Sequence, residues 1–191
     1  MKTSLIVIDN FYDNIDEVRE FALYLPFDVF GNYPGARTKN HFTESAKNII
    51  ENALNLNSEK VVDWLDHEGG YSGSFQMTTR HNSSWVHVDA YNDWAGVLYM
   101  TPNAPISGGT GFYKSKIDGS LTGDETQGNF PNGTWTDMSK WEKVSEVGNI
   151  YNRLILFRSN QWHTSLDYFG EDMNDGRLTQ VFFIKTENEE E

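Results

Sequence analysis

Cysteine is absent from this chain of 191 residues. Without a thiol, the chain can form neither a disulfide framework nor a thiolate that acts as nucleophile or metal ligand. Small secreted domains commonly depend on disulfides, whereas this composition fits a reducing compartment. We therefore expect a cytoplasmic protein whose chemistry depends on other side chains.

Positive charge is also scarce. Lysine and arginine together number 15, against 28 aspartate and glutamate residues, which gives a formal net charge of −13. A surface of this sign repels phosphate backbones, so we expect no binding to duplex nucleic acid. Part of the acidic excess lies at the end of the chain, where the sequence TENEEE (residues 186–191) predicts a solvated acidic tail.

Long apolar runs are missing too. The apolar run LIVI near the N-terminus ends at Asp9, and no small-residue cleavage site follows it. A signal peptide or a membrane-spanning helix needs a longer apolar stretch than this. We therefore expect no signal peptide and no membrane association.

The length and the apolar content predict a single domain that covers residues 1–191. Within residues 1–69, LIVI predicts a first strand, and the segments NIDEVREFALYL and TESAKNIIENALNL have the apolar spacing of helices. Asn14 and Thr43 stand where each helix would be capped. We expect this N-terminal part to pack on a larger β structure.

Short apolar or alternating segments dominate residues 70–185, and Gly, Asn, Pro and Asp separate them. This pattern is typical of a β-sandwich or barrel, so the fold class is mainly β with supporting N-terminal helices. Residues 114–146 interrupt the pattern with a polar stretch that carries two tryptophans. A segment of that length predicts a loop or lid that borders the functional site.

The stretch WVHVDAYNDW combines strand-like alternation with two metal-binding side chains. On a strand, His87 and Asp89 face one side while the flanking valines face the other, which makes either a two-point chelate or a polar surface pair. His163 follows the apolar segment NRLILF and the turn RSNQ, where it can return beside an earlier strand. Two histidines and one carboxylate on neighbouring strand ends form the triad that binds non-haem iron and leaves coordination positions open.

The last apolar segment, RLTQVFFI, places Arg177 and Thr179 on one face of a strand. The turn-like sequence FGEDMNDG before it predicts that the strands of His163 and Arg177 are antiparallel neighbours. An arginine that points into an aromatic-lined barrel is costly unless it meets an anion. At the surface, the same arginine would instead pair with an acidic side chain, and the sequence leaves both interpretations open.

The pieces HVD, GVLYM, GGTGFY, NRLILFRSNQWH and RLT, in this order, resemble the Fe(II)/2-oxoglutarate-dependent dioxygenases, in particular the prolyl-hydroxylase-like branch. The resemblance spans roughly residues 75–184 and implies a double-stranded β-helix, which is a jelly-roll barrel. It also implies that His87, Asp89 and His163 bind Fe(II).

The same resemblance assigns roles around the cosubstrate. Arg177 matches the residue that pairs with the distal carboxylate of 2-oxoglutarate, Thr179 matches a hydroxyl beside it, and Tyr99 matches a supporting phenol. The implied activity is hydroxylation of a small-molecule or peptide substrate, with consumption of molecular oxygen and oxidative decarboxylation of 2-oxoglutarate. The segment NYPGARTKN (residues 32–40) and the loop at 114–146 are candidates for recognising that substrate.

Two alternatives remain from other functional classes. A metal-dependent jelly-roll enzyme of cupin type would use the triad without 2-oxoglutarate and would have no need for a buried cation at Arg177. A non-enzymatic jelly-roll module would bind a ligand such as a carbohydrate, because the faces of the six tryptophans can stack on sugars. Metal-independent binding would favour that module.

Overall fold

The computed structural model describes residues 3–67, 69–89, 91–124 and 130–188. Ten strands and two α-helices make up its regular structure. In chain order the elements are β1 (Leu5–Ile8), α1 (Ile15–Tyr24), β2 (Ala36–Asn40), α2 (Glu44–Asn55), β3 (Glu59–Asp63), β4 (Ser74–Thr78), β5 (Trp94–Tyr99), β6 (Thr110–Ser115), β7 (Trp141–Val147), β8 (Leu154–Arg158), β9 (His163–Ser165) and β10 (Arg177–Asn188).

The strands form two antiparallel sheets. The larger sheet has seven strands in the order β1-β8-β5-β10-β4-β2, with β3 paired to the second half of β10. The smaller sheet has the order β7-β6-β9. Phe112 of β6 and Val147 of β7 pack in one cluster with Tyr99 and Phe157 of the larger sheet, so the two sheets share a core. The predicted mainly β jelly-roll architecture is confirmed.

The larger sheet separates two environments because alternate side chains of each strand point to opposite faces. Leu178 and Phe182 of β10 pack with Ile50 of α2 in the core under the helices. Arg177 and Thr179 point the other way and line the space between the two sheets. Both faces of β10 are therefore covered, and its first eight residues are all buried.

Both helices begin close to where the sequence predicts. The hydroxyl of Thr43 accepts a hydrogen bond from the backbone N–H of Ala46 (3.1 Å), which caps α2 as expected. At α1 the side chain of Asn14 makes no capping hydrogen bond and instead donates to the carboxylate of Glu17 (2.9 Å). No helix in the described part of the chain is long and apolar enough to cross a membrane.

The structure adds detail at both ends of the predicted domain. The N-terminal strands β1, β2 and β3 hydrogen-bond into the larger sheet. Residues 186–188 of the predicted acidic tail extend β10 along β3, with Thr186 paired to Val61, and Glu187 and Asn188 are exposed to solvent. Residues 189–191 lie outside the described part of the chain.

The polar stretch at 114–146 contains more regular structure than expected. Its last residues form β7, which is an edge strand of the smaller sheet and buries only its two terminal residues, Trp141 and Val147. An edge strand with a solvated middle has no apolar alternation, so it resembles a loop in sequence. Around the start of β7, four aromatic rings pack with centroids 5.2–6.3 Å apart, namely those of Phe130, Trp135, Trp141 and Trp162.

Candidate active site

The segment that carries His87 and Asp89 is extended but is not a full strand, contrary to the sequence prediction. His87 exchanges two backbone hydrogen bonds with His163 (3.0 and 2.9 Å), and the N–H of Asp89 donates to the carbonyl of Ser159 (2.8 Å). The predicted alternation holds, because Val86 and Val88 are buried beside Trp162 on the other side. The segment is therefore held by its backbone and by its valines.

The structure brings His87, Asp89 and His163 to one point. The Nε2 atom of His163 lies 3.3 Å from one carboxylate oxygen of Asp89, and the Nε2 atom of His87 lies 3.8 Å from the other. One ligand atom from each of the three residues lies within 4.8 Å of the others. A metal ion with ligand distances of about 2.0–2.2 Å fits between atoms so spaced.

Both imidazole rings are oriented for metal binding. The Nδ1 atom of His87 lies 2.9 Å from the carbonyl oxygen of Trp85, and Nδ1 of His163 lies 2.9 Å from that of Gln161. A carbonyl oxygen only accepts hydrogen bonds, so each Nδ1 carries the proton and donates. Each Nε2 therefore points at the shared position, where it can bind a metal ion once it carries no proton, which is the arrangement of a ligating histidine.

The electrostatics of the site favour a neutral imidazole at His87 beside a carboxylate anion at Asp89. Burial, with the nearby His163, lowers the pKa of His87 to about 4. Burial alone would raise the pKa of Asp89, but the charge and hydrogen bond of His163, together with His87 and Arg37, hold that pKa below its ordinary value. Neutral imidazole and ionised carboxylate are the forms that bind a divalent cation.

Arg177 lies in the same cavity as the triad and is almost completely buried, with 3% of its surface exposed. Its Nε donates to the carbonyl of Gly108 (2.9 Å), and the guanidinium lies near the rings of Tyr99 and Tyr168 (5.5 and 5.9 Å to the centroids). Its Nη2 atom is buried and has no hydrogen-bond partner. No carboxylate in the described part of the chain forms an ion pair with Arg177, and burial lowers its pKa.

The two other predicted cosubstrate residues occupy different positions. Thr179 is buried and lines the cavity two residues from Arg177, on the same face of β10. Tyr99 pairs with Thr179 across β5 and β10, but its phenol does not line the cavity. The Tyr99 hydroxyl lies 2.9 Å from Oγ1 of Thr110, and its ring lies beneath the Arg177 guanidinium. Tyr99 is thus placed to position Arg177.

The prediction that the strands of His163 and Arg177, β9 and β10, are antiparallel neighbours was wrong. β9, with His163, belongs to the smaller sheet and pairs with β6, whereas β10, with Arg177, lies in the larger sheet between β5 and β4. The chain between them, residues 166–176, crosses from one sheet to the other instead of making a hairpin. The site is therefore assembled from both walls of the barrel, with the triad facing the arginine-bearing sheet across the cavity.

The cavity has a volume of about 880 Å³, which lies in the range of sites for small-molecule ligands. Residues 32–34, Trp135 and Thr136 line it, so both segments that the sequence singled out for substrate recognition reach the site. Arg37 and Gln76 also line the cavity; Arg37 lies within the predicted segment 32–40 but was not singled out there, and Gln76 was missed. Because β2 is a short edge strand with a register shift, its alternation gave no signal for Arg37.

Comparison with known proteins bears on both family and fold. The profile of one protein family, described as a family of unknown function (DUF6445), matches residues 1–184. The chain belongs to the DUF6445 family. No sequence among curated proteins matches it significantly.

Solved structures share the fold of this DUF6445 member at low sequence identity. HygX from Streptomyces hygroscopicus, with nickel and 2-oxoglutarate bound, is 11% identical, with a TM-score of 0.59 over 96% of this chain and 83% of HygX. A prolyl hydroxylase from Trichoplax adhaerens, in complex with a hypoxia-inducible-factor peptide fragment, is 14% identical, with a TM-score of 0.53 over 95% and 83%. The Fe(II)/α-ketoglutarate-dependent dioxygenase TqaL is 12% identical, with a TM-score of 0.52 over 96% and 83%. The chain therefore has the fold of these dioxygenases.

Proposed function

We propose that this protein is an Fe(II)/2-oxoglutarate-dependent dioxygenase that hydroxylates a bound organic substrate. The observation that carries the proposal is the convergence of two unlike sites in one cavity. On one wall, His87, Asp89 and His163 offer a metal-binding triad, and on the other, Arg177 is a buried cation without a carboxylate partner. A metal and an anionic cosubstrate that spans the gap would satisfy both.

The residues present fit the metal. Two imidazoles and one carboxylate are the ligand set of non-haem iron oxygenases, and they leave coordination positions for other molecules. The triad is held from outside by backbone contacts to Trp85, Gln161 and Ser159, which turns the ligand atoms toward one another on the cavity side. The ligands are therefore oriented before any metal arrives.

The residues present also fit the cosubstrate. Arg177 keeps its Nη2 donor unpartnered, and an arginine fork matches a carboxylate with two parallel hydrogen bonds. Bound Fe(II) and 2-oxoglutarate supply the oxidising chemistry, which consumes molecular oxygen, converts 2-oxoglutarate to succinate and carbon dioxide, and hydroxylates a C–H bond. The protein orients the reactants, and the aromatic side chains Trp85, Phe157 and Phe183 on the cavity wall exclude water from them.

The two alternatives explain the site less well. A cupin-type enzyme that uses only the triad leaves the buried cation of Arg177 without a function, although burying it is costly. A carbohydrate-binding module would need exposed tryptophan faces. Trp94, Trp141 and Trp162, half of the six tryptophans, are instead buried in the core clusters.

The test is anaerobic addition of Fe(II) and 2-oxoglutarate to the purified protein, followed by visible absorption spectroscopy. We expect a metal-to-ligand charge-transfer band that requires both components. Loss of even an outer partner of a metal ligand costs about 10–100-fold in affinity, so Asp89→Ala, which removes a ligand, should abolish the band at micromolar Fe(II). Succinate formation in air, measured with and without Fe(II), gives a second readout.

The outcomes separate the proposal from its alternatives. A protein that binds Fe(II) at the triad but gives no band and no change in affinity with 2-oxoglutarate would support the cupin-type enzyme. A protein that binds no divalent metal would remove both enzyme hypotheses. Lys39→Met, an exposed charge removed outside the cavity, is the matched control and should leave the band unchanged.

A further inference from the structure

A second buried arginine faces the same cavity. Arg37 of β2 is 9% exposed and pairs across the sheet with Gln76, which in turn pairs with Thr179 of β10. These three side chains lie in one row on the cavity face. Since neighbouring strands lie about 4.8 Å apart, the backbone of Arg37 is roughly 10 Å from that of Thr179. A cosubstrate held at Arg177 therefore leaves Arg37 free.

The local structure holds the Arg37 guanidinium in place. Its Nε donates to Oε1 of Gln76 (3.0 Å), and Nε2 of Gln76 donates to the carbonyl of Pro34 (2.8 Å). The ring of Tyr33 stacks on the guanidinium, with 3.8 Å from the carbon to the centroid. Gly35 has φ +72°, and a Cβ there would lie 2.0 Å from the Met77 carbonyl, so only glycine lets this turn approach β4. Among the described residues only Gln76 hydrogen-bonds this guanidinium, and it does so at Nε, so the terminal nitrogens are available to a ligand.

The charge of Arg37 is not neutralised by a salt bridge with any described residue. Burial lowers the pKa of Arg37, and the carboxylate of Asp89 acts on it only through space. Asp89 is also one of the three triad residues. A buried cation in this state is costly, and an anionic group on a ligand would relieve the cost.

The side chains around Arg37 indicate the chemical character of the rest of the ligand. Tyr71 and Phe183 lie beside it with their rings in edge contact (4.9 Å between centroids), and Trp85 lines the cavity nearer to His87. A ligand whose anion meets Arg37 would thus lay an apolar body along aromatic walls toward the triad. One arginine fork, close to the negative charge of Asp89, suits a singly charged carboxylate better than a doubly charged phosphate monoester.

We propose that the substrate of this enzyme is a carboxylic acid with an apolar body, and that Arg37 binds its carboxylate through the free edge of the guanidinium. That the bound acid is a substrate rests on the proposed dioxygenase function. The binding of the acid itself depends only on the cavity and on Arg37. Arg37 is thus the residue that sets substrate class, distinct from the cosubstrate residue Arg177.

The experiment measures binding without turnover. N-acyl amino acids and aryl-alkanoic acids, each paired with its primary amide, are titrated into the Ni(II)-loaded protein with and without saturating 2-oxoglutarate, and saturation-transfer NMR and calorimetry report affinity. We expect the best acid to bind at least about tenfold more tightly than its amide, the size of a charge-assisted hydrogen bond. Arg37→Met should remove this preference, Arg37→Lys should keep part of it, and Lys39→Met should keep all of it.

Each other outcome overturns the assignment. The proposal fails if no acid binds, if acids and amides bind alike, if only phosphate monoesters bind, or if folded Arg37→Met keeps the preference. It also fails if the preference is lost in Arg177→Met instead, because the acids would then occupy the cosubstrate site. If wild-type protein does not bind 2-oxoglutarate, the dioxygenase function fails separately, and the titration without 2-oxoglutarate still decides whether Arg37 binds acids. Thermal unfolding of each variant confirms that it is folded.

Discussion

The arginines on the two faces of the larger sheet have opposite kinds of partner. On the face covered by helices, Arg158 is paired with Glu59 through both of its terminal nitrogens, its Nε donates to the carbonyl of Thr3 (3.0 Å), and it stacks on Trp94. On the cavity face, Arg177 and Arg37 each make one side-chain hydrogen bond to the described residues, and in both cases the acceptor is uncharged.

This difference distinguishes a structural cation from one kept for a ligand. Glu59 is itself saturated, because the Trp94 indole and the Thr186 hydroxyl also donate to it (both 2.8 Å). A network of this kind links four strands and gives every side-chain nitrogen of Arg158 a partner within the protein. The cavity face keeps its donors available, at a cost in stability that a bound anion would offset.

The exchange of Arg177 and Arg158 for methionine gives the sharpest contrast. Arg177→Met should weaken 2-oxoglutarate binding by about 2–5 kcal/mol, since it removes the charge partner of a buried carboxylate. It should not lower the free energy of unfolding, because it removes an unpaired buried cation. Arg158→Met should leave the affinity for 2-oxoglutarate unchanged and should lower the free energy of unfolding.

Calorimetric titration of 2-oxoglutarate at fixed Ni(II), with chemical denaturation of the same samples, measures both effects. Arg177→Lys should fall between wild type and Arg177→Met, because lysine keeps the charge and loses the fork. If Arg177→Met binds 2-oxoglutarate as wild type does, the cosubstrate assignment is wrong even when the metal triad is correct.

Glu59→Gln tests the ion pair between Glu59 and Arg158 by removing the negative charge. It leaves Arg158 facing a neutral amide and should destabilise the fold by about 3 kcal/mol at neutral pH. Urea unfolding measures this change. The exposed substitution Glu20→Gln is the control and should stay within about 0.5 kcal/mol of wild type.

Glu59→Gln should also change how the free energy of unfolding falls as the pH is lowered. Burial alone would raise the pKa of Glu59, but the hydrogen bonds from Arg158, Trp94 and Thr186 and the charge of Arg158 lower this pKa below its ordinary value of 4.5. A pKa that is lower in the folded state contributes stability above the unfolded value and loses it as the pH falls through the folded value. Wild type should therefore lose more stability than Glu59→Gln between neutral pH and the region below 4.5. If the free energy of unfolding falls equally with pH in wild type and Glu59→Gln, this role of Glu59 is contradicted.

Tyr99→Phe should have a smaller effect, because it removes only the hydroxyl that contacts Thr110 and leaves the ring beneath Arg177. We expect a loss of about 1 kcal/mol in 2-oxoglutarate affinity with unchanged metal affinity. A loss as large as that of Arg177→Met would mean that the phenol touches the cosubstrate itself.

The smallest expected effect concerns the segment between β6 and β7, whose mobility stays a prediction. Lys116 and Lys140 are exposed near its two ends, and Lys116 donates to the carbonyl of Ser139 (3.2 Å). If Trp135 closes over a ligand, tryptic cleavage at these lysines should slow by about two- to fivefold when Ni(II) and 2-oxoglutarate are added. Equal cleavage rates with and without these ligands would argue against a lid.

Local sequence was sufficient where the spacing of side chains carries the information. The two-residue spacing of His87 and Asp89 placed both ligands on one side, with valines on the other, although the backbone there is only a bridge and not a strand. The RLT segment likewise placed Arg177 and Thr179 on one face of β10. The resemblance to the dioxygenases added the jelly-roll topology and the expectation that these residues serve Fe(II) and 2-oxoglutarate.

Tertiary structure decided what local spacing cannot encode. That β9 and β10 lie in opposite sheets depends on pairing with β6, β5 and β4, which are distant in sequence. Arg37 reaches the cavity while Lys39 is exposed. This difference depends on a bulge in an edge strand and on a glycine turn packed against Met77. The sequence by itself determined which side chains can bind a metal and an anion, because residue type and alternation are local. Only the tertiary structure decided which arginines keep free donors, because that depends on whether a carboxylate from a distant strand reaches them, as Glu59 reaches Arg158.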